Sequence, residues 1–216
     1  MISKEFKNRL ITSVFLVLAL YAIIMSNLFL VFFLIVFGVL SILEFSKIIQ
    51  LITKLHITAL LINISFILYI SLFCLTFFYF SNIPHLKVLL FVLLLTCVAS
   101  DIGGYVIGKF LKGPKITKIS PNKTFSGALG SILFSIITFY GLFILILNNF
   151  HYKLIFIAIL TSLANQLGDL FFSYLKRQAK VKNTGNFLPG HGGILDRLDG
   201  ILLGLPVGFI SLILIF

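Results

Sequence analysis

Acidic residues are scarce in this chain: Asp and Glu together number six in 216 residues, against 17 Lys and Arg. Charged side chains of both signs make up only 11% and hydrophobic ones 60%, whereas a soluble domain carries about 25% charged and about 45–50% apolar residues. With a mean hydropathy of +1.17, the chain is excluded from the ordinary water-soluble domains, and its apolar content equally excludes disorder. Cysteine is nearly absent too. Cys74 and Cys97 are the only two, which rules out a disulfide scaffold, and both lie in long apolar runs where they read as packing residues rather than a bridge or a metal site. No separate soluble domain, low-complexity tract or internal repeat is visible.

What fills the chain instead is a succession of apolar runs. A helix needs about 20 mostly apolar residues to cross the hydrocarbon core, and seven candidate spans are read at about 10–25, 28–43, 57–80, 88–107, 128–147, 154–173 and 200–216. The expected fold class is therefore all-α, a polytopic integral membrane protein of about seven helices. The first two spans are separated only by Met25, Ser26 and Asn27 and read as a tight hairpin. A cleavable signal peptide is the competing reading of the amino terminus, with Lys4, Lys7 and Arg9 before an apolar stretch, but no small-x-small cleavage site precedes the second run.

The excess of base, formally +11, would suit nucleic acid, an anionic membrane surface or phosphorylated substrates. Its distribution decides among them. With the amino terminus in the cytoplasm, one face receives Lys4, Lys7, Arg9, Lys47, Lys54, Lys109, Lys112, Lys115, Lys118, Lys123, Lys176, Arg177, Lys180, Lys182 and Arg197, and the other only Lys87 and Lys153. That is the asymmetry that orients membrane proteins. The bases are topology signals, and no nucleic-acid partner is expected.

The six acids are Glu5, Glu44, Asp101, Asp169, Asp196 and Asp199. Asp101 and Asp169 fall near the cytoplasmic ends of the fourth and sixth spans, within about 10 Å of that boundary at ~1.5 Å rise per residue, and Asp196 and Asp199 just precede the seventh. Four scarce carboxylates are thus expected in one layer bordered by two basic loops. Ionisable groups at membrane depth are costly and mark sites. Hard cations such as Mg2+ take carboxylate and phosphate oxygens, so the layer reads as a metal and phosphate site, the lysines neutralising a polyanion. Interhelical salt bridging is the competing reading, with Asp169 paired to Lys176 or Arg177. Glu5 reads as a solvated terminal charge, and Glu44 either as a boundary residue or as a support for the site.

Two polar segments strengthen the substrate reading. Pro189, Gly190, His191, Gly192 and Gly193 cannot form a regular helix, and such a loop brings backbone N–H groups close to a phosphate. Ser120, Pro121, Asn122, Lys123 and Thr124 form the second turn-like stretch. His191 reads as structural more readily than as catalytic, and as a metal ligand least of all, since no partner histidine lies nearby.

These motifs resemble those of the phosphatidate cytidylyltransferases, or CDP-diacylglycerol synthases. The stretch from Ser173 through Lys176-Arg177 and Lys182-Asn183 to Pro189-Gly190-His191-Gly192-Gly193 and Asp196-Arg197-Leu198-Asp199 is similar to that family's carboxy-terminal signature. Gly168-Asp169-Leu170, Ser120 to Thr124 and Asp101 to Gly108 look like three further motifs. The resemblance covers about residues 97–204, and divides the chain into amino-terminal helices over 1–87 and a catalytic membrane region over 88–216. The chain departs from the family pattern at Asn122 (usually Lys), Ser126 and Phe172 (Glu), Asn183 (Asp) and Gly200 (Ser), which puts neutral side chains in place of three carboxylates.

The resemblance implies the reaction CTP + phosphatidate to CDP-diacylglycerol + pyrophosphate, with Mg2+ and room for a second cation, at the inner membrane of a bacterium. It implies Asp169 and Asp196 as metal carboxylates and Asp199 as their support. Lys176 and Arg177 belong with these in the catalytic set. Lys123, Ser120 and Arg197 would bind substrate phosphates, and Gly190, His191, Gly192 and Gly193 would shape the pocket. Asp101 either joins the layer or organises the fourth span. The partners are then CTP, phosphatidic acid and membrane lipids, and a homodimer is left open. A CTP-dependent polyprenol or dolichol kinase is the nearest alternative, disfavoured by the stretch from Pro189 to Asp199. A transporter for an anionic solute is the other, and would spread functional charge through the bilayer depth.

Overall fold

The computed structural model describes residues 4–117, 119–147, 151–188 and 192–215. Among them the chain is helical: α1 (Lys4–Met25), α2 (Asn27–Ile52), α3 (His56–Ser81), α4 (Pro84–Leu111), α5 (Phe125–Leu147), α6 (Lys153–Gln178), the single turn α7 (Leu195–Leu198) and α8 (Ile201–Ile215). The all-α expectation holds. Six stretches are long and apolar enough to cross a bilayer, the last running from Leu195 to Ile215 through α7 and α8. The expected first span lies in α1, whose apolar stretch Ile11–Met25 is shorter. The protein is an integral membrane protein. Outward-facing residues such as Leu28, Phe32, Ile35 and Val39 are as apolar as the buried ones, as a lipid-facing surface requires.

The helices outrun several expected spans. α2 continues to Ile52 rather than 43, α4 to Leu111 rather than 107, and α6 to Gln178 rather than 173. An apolar window ends at the first polar residues, but a helix stops only where its backbone is capped. At the end of α6 the Lys180 N–H donates to the Arg177 carbonyl (3.1 Å) and the Val181 N–H to the Lys176 carbonyl (2.9 Å), with Lys180 left-handed at φ 56°. This is the Schellman pattern of helix ends. The break between α1 and α2 is the single residue Ser26, extended at φ −139° and ψ 126°, rather than the expected three.

The chain folds as two units. The first comprises residues 1–83 and 175–198, the second 84–174 and 199–216. In the first, α2 packs on α3, with the Phe45 and Phe66 rings stacked at 3.8 Å between centroids over buried Ile48, Ile49 and Ile70. In the second, α4 and α5 meet backbone to backbone: a Cβ added to Gly103 would stand 2.5 Å from the Gly130 carbonyl oxygen, and one on Gly130 2.7 Å from that of Gly103. Small residues allow this approach where lipid supplies no hydrophobic drive between helices. Buried Ser100 and Ser162 share a hydrogen bond between α4 and α6 at 2.9 Å.

Candidate active site

In the second unit, α4 and α5 are joined by a small hairpin. The Phe125 N–H donates to the Pro114 carbonyl and the Ile116 N–H to that of Lys123, and the chain reverses over Ser120 to Lys123, whose N–H closes on the Ser120 carbonyl at 3.0 Å. Pro121 sits at the second turn position, where its fixed φ suits the bend. Thr124 caps α5, its Oγ1 accepting from the Gly127 N–H at 3.1 Å. Ser126 Oγ shares a hydrogen bond with Thr124 Oγ1 at 3.0 Å and accepts from the Gly113 N–H at 3.2 Å. So the serine standing at the family's usual Glu ties the hairpin's two ends together.

The turn delivers Lys123 to Asp169 on α6. Its Nζ lies 2.5 Å from Asp169 Oδ2, the side chains 24% and 34% exposed. The contact is ionic rather than a directed hydrogen bond. Ser173, one turn on, donates to Asp169 Oδ1 at a long 3.3 Å. Asp169 thus keeps acceptor capacity and access to solvent. Its partner is Lys123, not the Lys176 or Arg177 of the salt-bridge reading. Phe172, at the other expected Glu, is buried against the neighbouring Phe171 ring. Asn122 is exposed, and Ser120 half-buried.

Asp101 accepts from Asn165 Nδ2 at 2.7 Å, which ties α4 to α6. Asn165 is fully buried, and its Oδ1 has no hydrogen-bond partner. A Cβ on Gly200 would come within 2.6 Å of that oxygen, so the residue at the family's usual Ser has no room for a side chain here. Asp199 is buried, and its Oδ1 accepts from the Gly200 N–H at 2.9 Å.

In the first unit, Asp196 organises the loop that follows α6. Lys176 Nζ donates to its Oδ1 at 2.8 Å, with side chains only 11% and 10% exposed. Its Oδ2 accepts two backbone N–H groups, from Thr184 at 2.9 Å and Gly193 at 3.0 Å. The two glycines have distinct reasons. Gly192 is left-handed at φ 87°, and a Cβ there would stand 2.7 Å from Asp196 Oδ2; one on Gly193 would overlap Thr184 Oγ1 and Glu44 Oε2. Leu188 and Gly192 exchange both backbone hydrogen bonds, at 2.8 and 3.1 Å, closing a tight hairpin. Gly190 and His191 lie outside the described residues, as does Lys118. Arg177, Arg197, Lys182 and Asn183 are exposed.

One group that the sequence left undecided joins this unit. Glu44, well inside α2, accepts from Thr184 Oγ1 at 2.7 Å, the Ile194 N–H at 3.0 Å and the Leu195 N–H at 2.9 Å. Scarcity of acids was the only signal for it, and Thr184 and Asn165 carried none.

Mg2+ characteristically takes one or two carboxylates, leaving its other positions to substrate phosphates and water. Among the described residues no three His, Cys, Asp or Glu side chains are gathered for a metal, so an all-protein cage is not offered. A part-exposed Asp169 with unused acceptor capacity fits the sparser mode.

Fold and site together define a polytopic membrane protein whose polar connectors set lysines against scarce carboxylates, chemistry suited to anionic phosphates. The chain belongs to the Cytidylyltransferase family, which it matches over residues 53–215. It is 45% identical over 114 residues to a phosphatidate cytidylyltransferase of Helicobacter pylori, covering 52% of this chain and 42% of that protein. Proteins of the same name from Rickettsia bellii and Staphylococcus haemolyticus are 41% identical over 119 residues and 38% over 139, covering 50% and 63% of this chain and 51% and 53% of theirs. The chain thus spans about half the length of these relatives.

Proposed function

We propose that this protein is a phosphatidate cytidylyltransferase: it joins CTP and phosphatidate to give CDP-diacylglycerol and pyrophosphate. The observation that carries the reading is the pairing of Lys123 with Asp169, which brings a lysine and a carboxylate from two separate family-like motifs into direct contact. A phosphatidate oxygen attacks the α-phosphorus of CTP, the bond to the β-phosphate oxygen breaks, and pyrophosphate leaves. The lipid phosphate is already a nucleophile, so the protein's task is to bring two anions together and hold them in line. Lys123, with Arg177 and Arg197, would offset their charge; Lys176 would hold Asp196 in place. Asp169 would hold Mg2+, Asp196 being the second carboxylate that the family resemblance assigns to it, and the cation would supply charge stabilisation at the reacting phosphorus. The carboxyl of Asp199 would keep the α8 entry in register. The same reading puts the protein in a bacterial inner membrane with its amino terminus in the cytoplasm, where CTP is available.

The test supplies purified protein in phosphatidate-containing vesicles with CTP labelled at the α-phosphorus and Mg2+. Label is expected in the lipid and pyrophosphate in solution. Label entering lipid only from the γ-phosphorus would replace this reading with a lipid kinase, and label from neither position would refute transfer.

A further inference from the structure

We propose that Glu44 is a positioning residue for the proposed transfer: from α2 it holds Thr184 and the Ile194–Leu195 backbone, the two described flanks of the loop after α6, in place for a phosphate. The inference rests on the function proposed above, but Glu44 lies outside the family match of residues 53–215 and outside the motifs read from the sequence. It is the only acid in the 26 residues of α2 and is 6% exposed. Its three donors, the Thr184 hydroxyl and the Ile194 and Leu195 N–H groups, are all neutral. No cation pairs with it among the described residues, whereas Asp169 is paired with Lys123 and Asp196 with Lys176. A buried carboxylate held by neutral donors is costly, and its role is visible in what it holds.

The loop is gripped from two sides. Asp196 takes the Thr184 and Gly193 N–H groups, while Glu44 takes the side chain of the same Thr184 and the next two N–H groups after Gly193. Neither carboxylate can make the other's contacts. Asp196 closes the loop on itself, and Glu44 fixes the closed loop to α2. Gly185 and Gly193 make room for this grip: a Cβ on Gly185 would stand 2.5 Å from Glu44 Oε1, and one on Gly193 would overlap Glu44 Oε2. The paired residues Leu188 and Gly192 lie between the anchored residues and take their position from them.

Glu44→Gln tests this. The amide keeps size and polarity but offers one acceptor oxygen to three donors and turns an NH2 group towards an N–H. The expected result is a fall in kcat of about 100-fold, the scale on which misplaced reacting groups lose rate, with the KM for CTP changed far less. Limited trypsin cleavage at exposed Lys180 and Lys182 should accelerate, while cleavage at Lys109 and Lys112, in the other unit, keeps its wild-type rate. Thr184→Val, which deletes one of the three donors, should show both effects more weakly and serves if Glu44→Gln does not accumulate. Wild-type kcat and cleavage in both variants would overturn the proposal, as would equal acceleration at all four lysines, which would make Glu44 a general stabiliser. If the wild type transfers no label, the proposed function is at fault, and the cleavage comparison alone decides whether Glu44 holds the loop.

Discussion

The two units use a carboxylate and a lysine in opposite ways. In the first, Asp196 and Lys176 are about one-tenth exposed, and both oxygens of Asp196 are engaged by three donors. In the second, Asp169 is one-third exposed and meets Lys123 in an ionic contact, with a single long hydrogen bond on its other oxygen. A saturated, buried carboxylate shapes backbone, whereas an unsaturated, accessible one can exchange a lysine for a ligand. Two aspartates that look equivalent in the sequence therefore sit in different surroundings, one saturated by donors and one with acceptor capacity to spare.

The largest effect is expected from Asp196→Asn, which strikes architecture and charge together. Transfer of label should be abolished while membrane insertion is retained. With one acceptor oxygen left for three donors, each stranded donor costs about 1–3 kcal/mol, so the thermal midpoint in detergent should fall and the loop become protease-sensitive. Near-normal transfer would remove Asp196 from the site. Asp169→Asn comes next and sharpens the contrast: transfer should drop by about 100-fold or more, the usual scale for one preorganised electrostatic group. Its thermal midpoint should barely move, since a part-exposed ion pair contributes at most about 1 kcal/mol. A large loss of stability would show that Asp169 is as architectural as Asp196.

Lys123→Ala should cost less, about 10- to 100-fold in transfer, the equivalent of one charge-assisted hydrogen bond of about 1.5–3 kcal/mol. Raising Mg2+ should recover part of the rate, because the cation can offset the same phosphate charge; a Mg2+-independent defect would argue that Lys123 serves the hairpin instead. The smallest functional effect is expected from Gly200→Ser. Its Cβ would stand 2.6 Å from buried Asn165 Oδ1, and overpacking of this kind costs about 1–3 kcal/mol. The melting temperature should fall and be restored by the added change Asn165→Ala. Simple additivity of the two would show that they do not compete for this space.

The membrane class was legible because each span must be apolar on nearly every face, a property of local composition. Span ends were less so: α2, α4 and α6 run past their apolar windows until capping stops them, and the Lys180 cap of α6 uses a left-handed lysine that no pattern announces. The pairing of Asp169 with Lys123 was missed for another reason. Lys176 and Arg177 are near Asp169 in sequence, but the hairpin turn at Ser120–Lys123 brings a residue 46 positions away to it.

Composition and motif spacing by themselves determined that the chain is an all-helical membrane protein, that its acids are few enough to matter individually, and which short polar stretches carry the family-like motifs. Only the tertiary structure decided what each carboxylate touches. A carboxylate is defined by its donors, and those of Glu44 come from residues 140 to 151 positions along the chain. Hydrophobicity is written residue by residue, whereas a hydrogen-bond partner exists only once the chain has closed on itself.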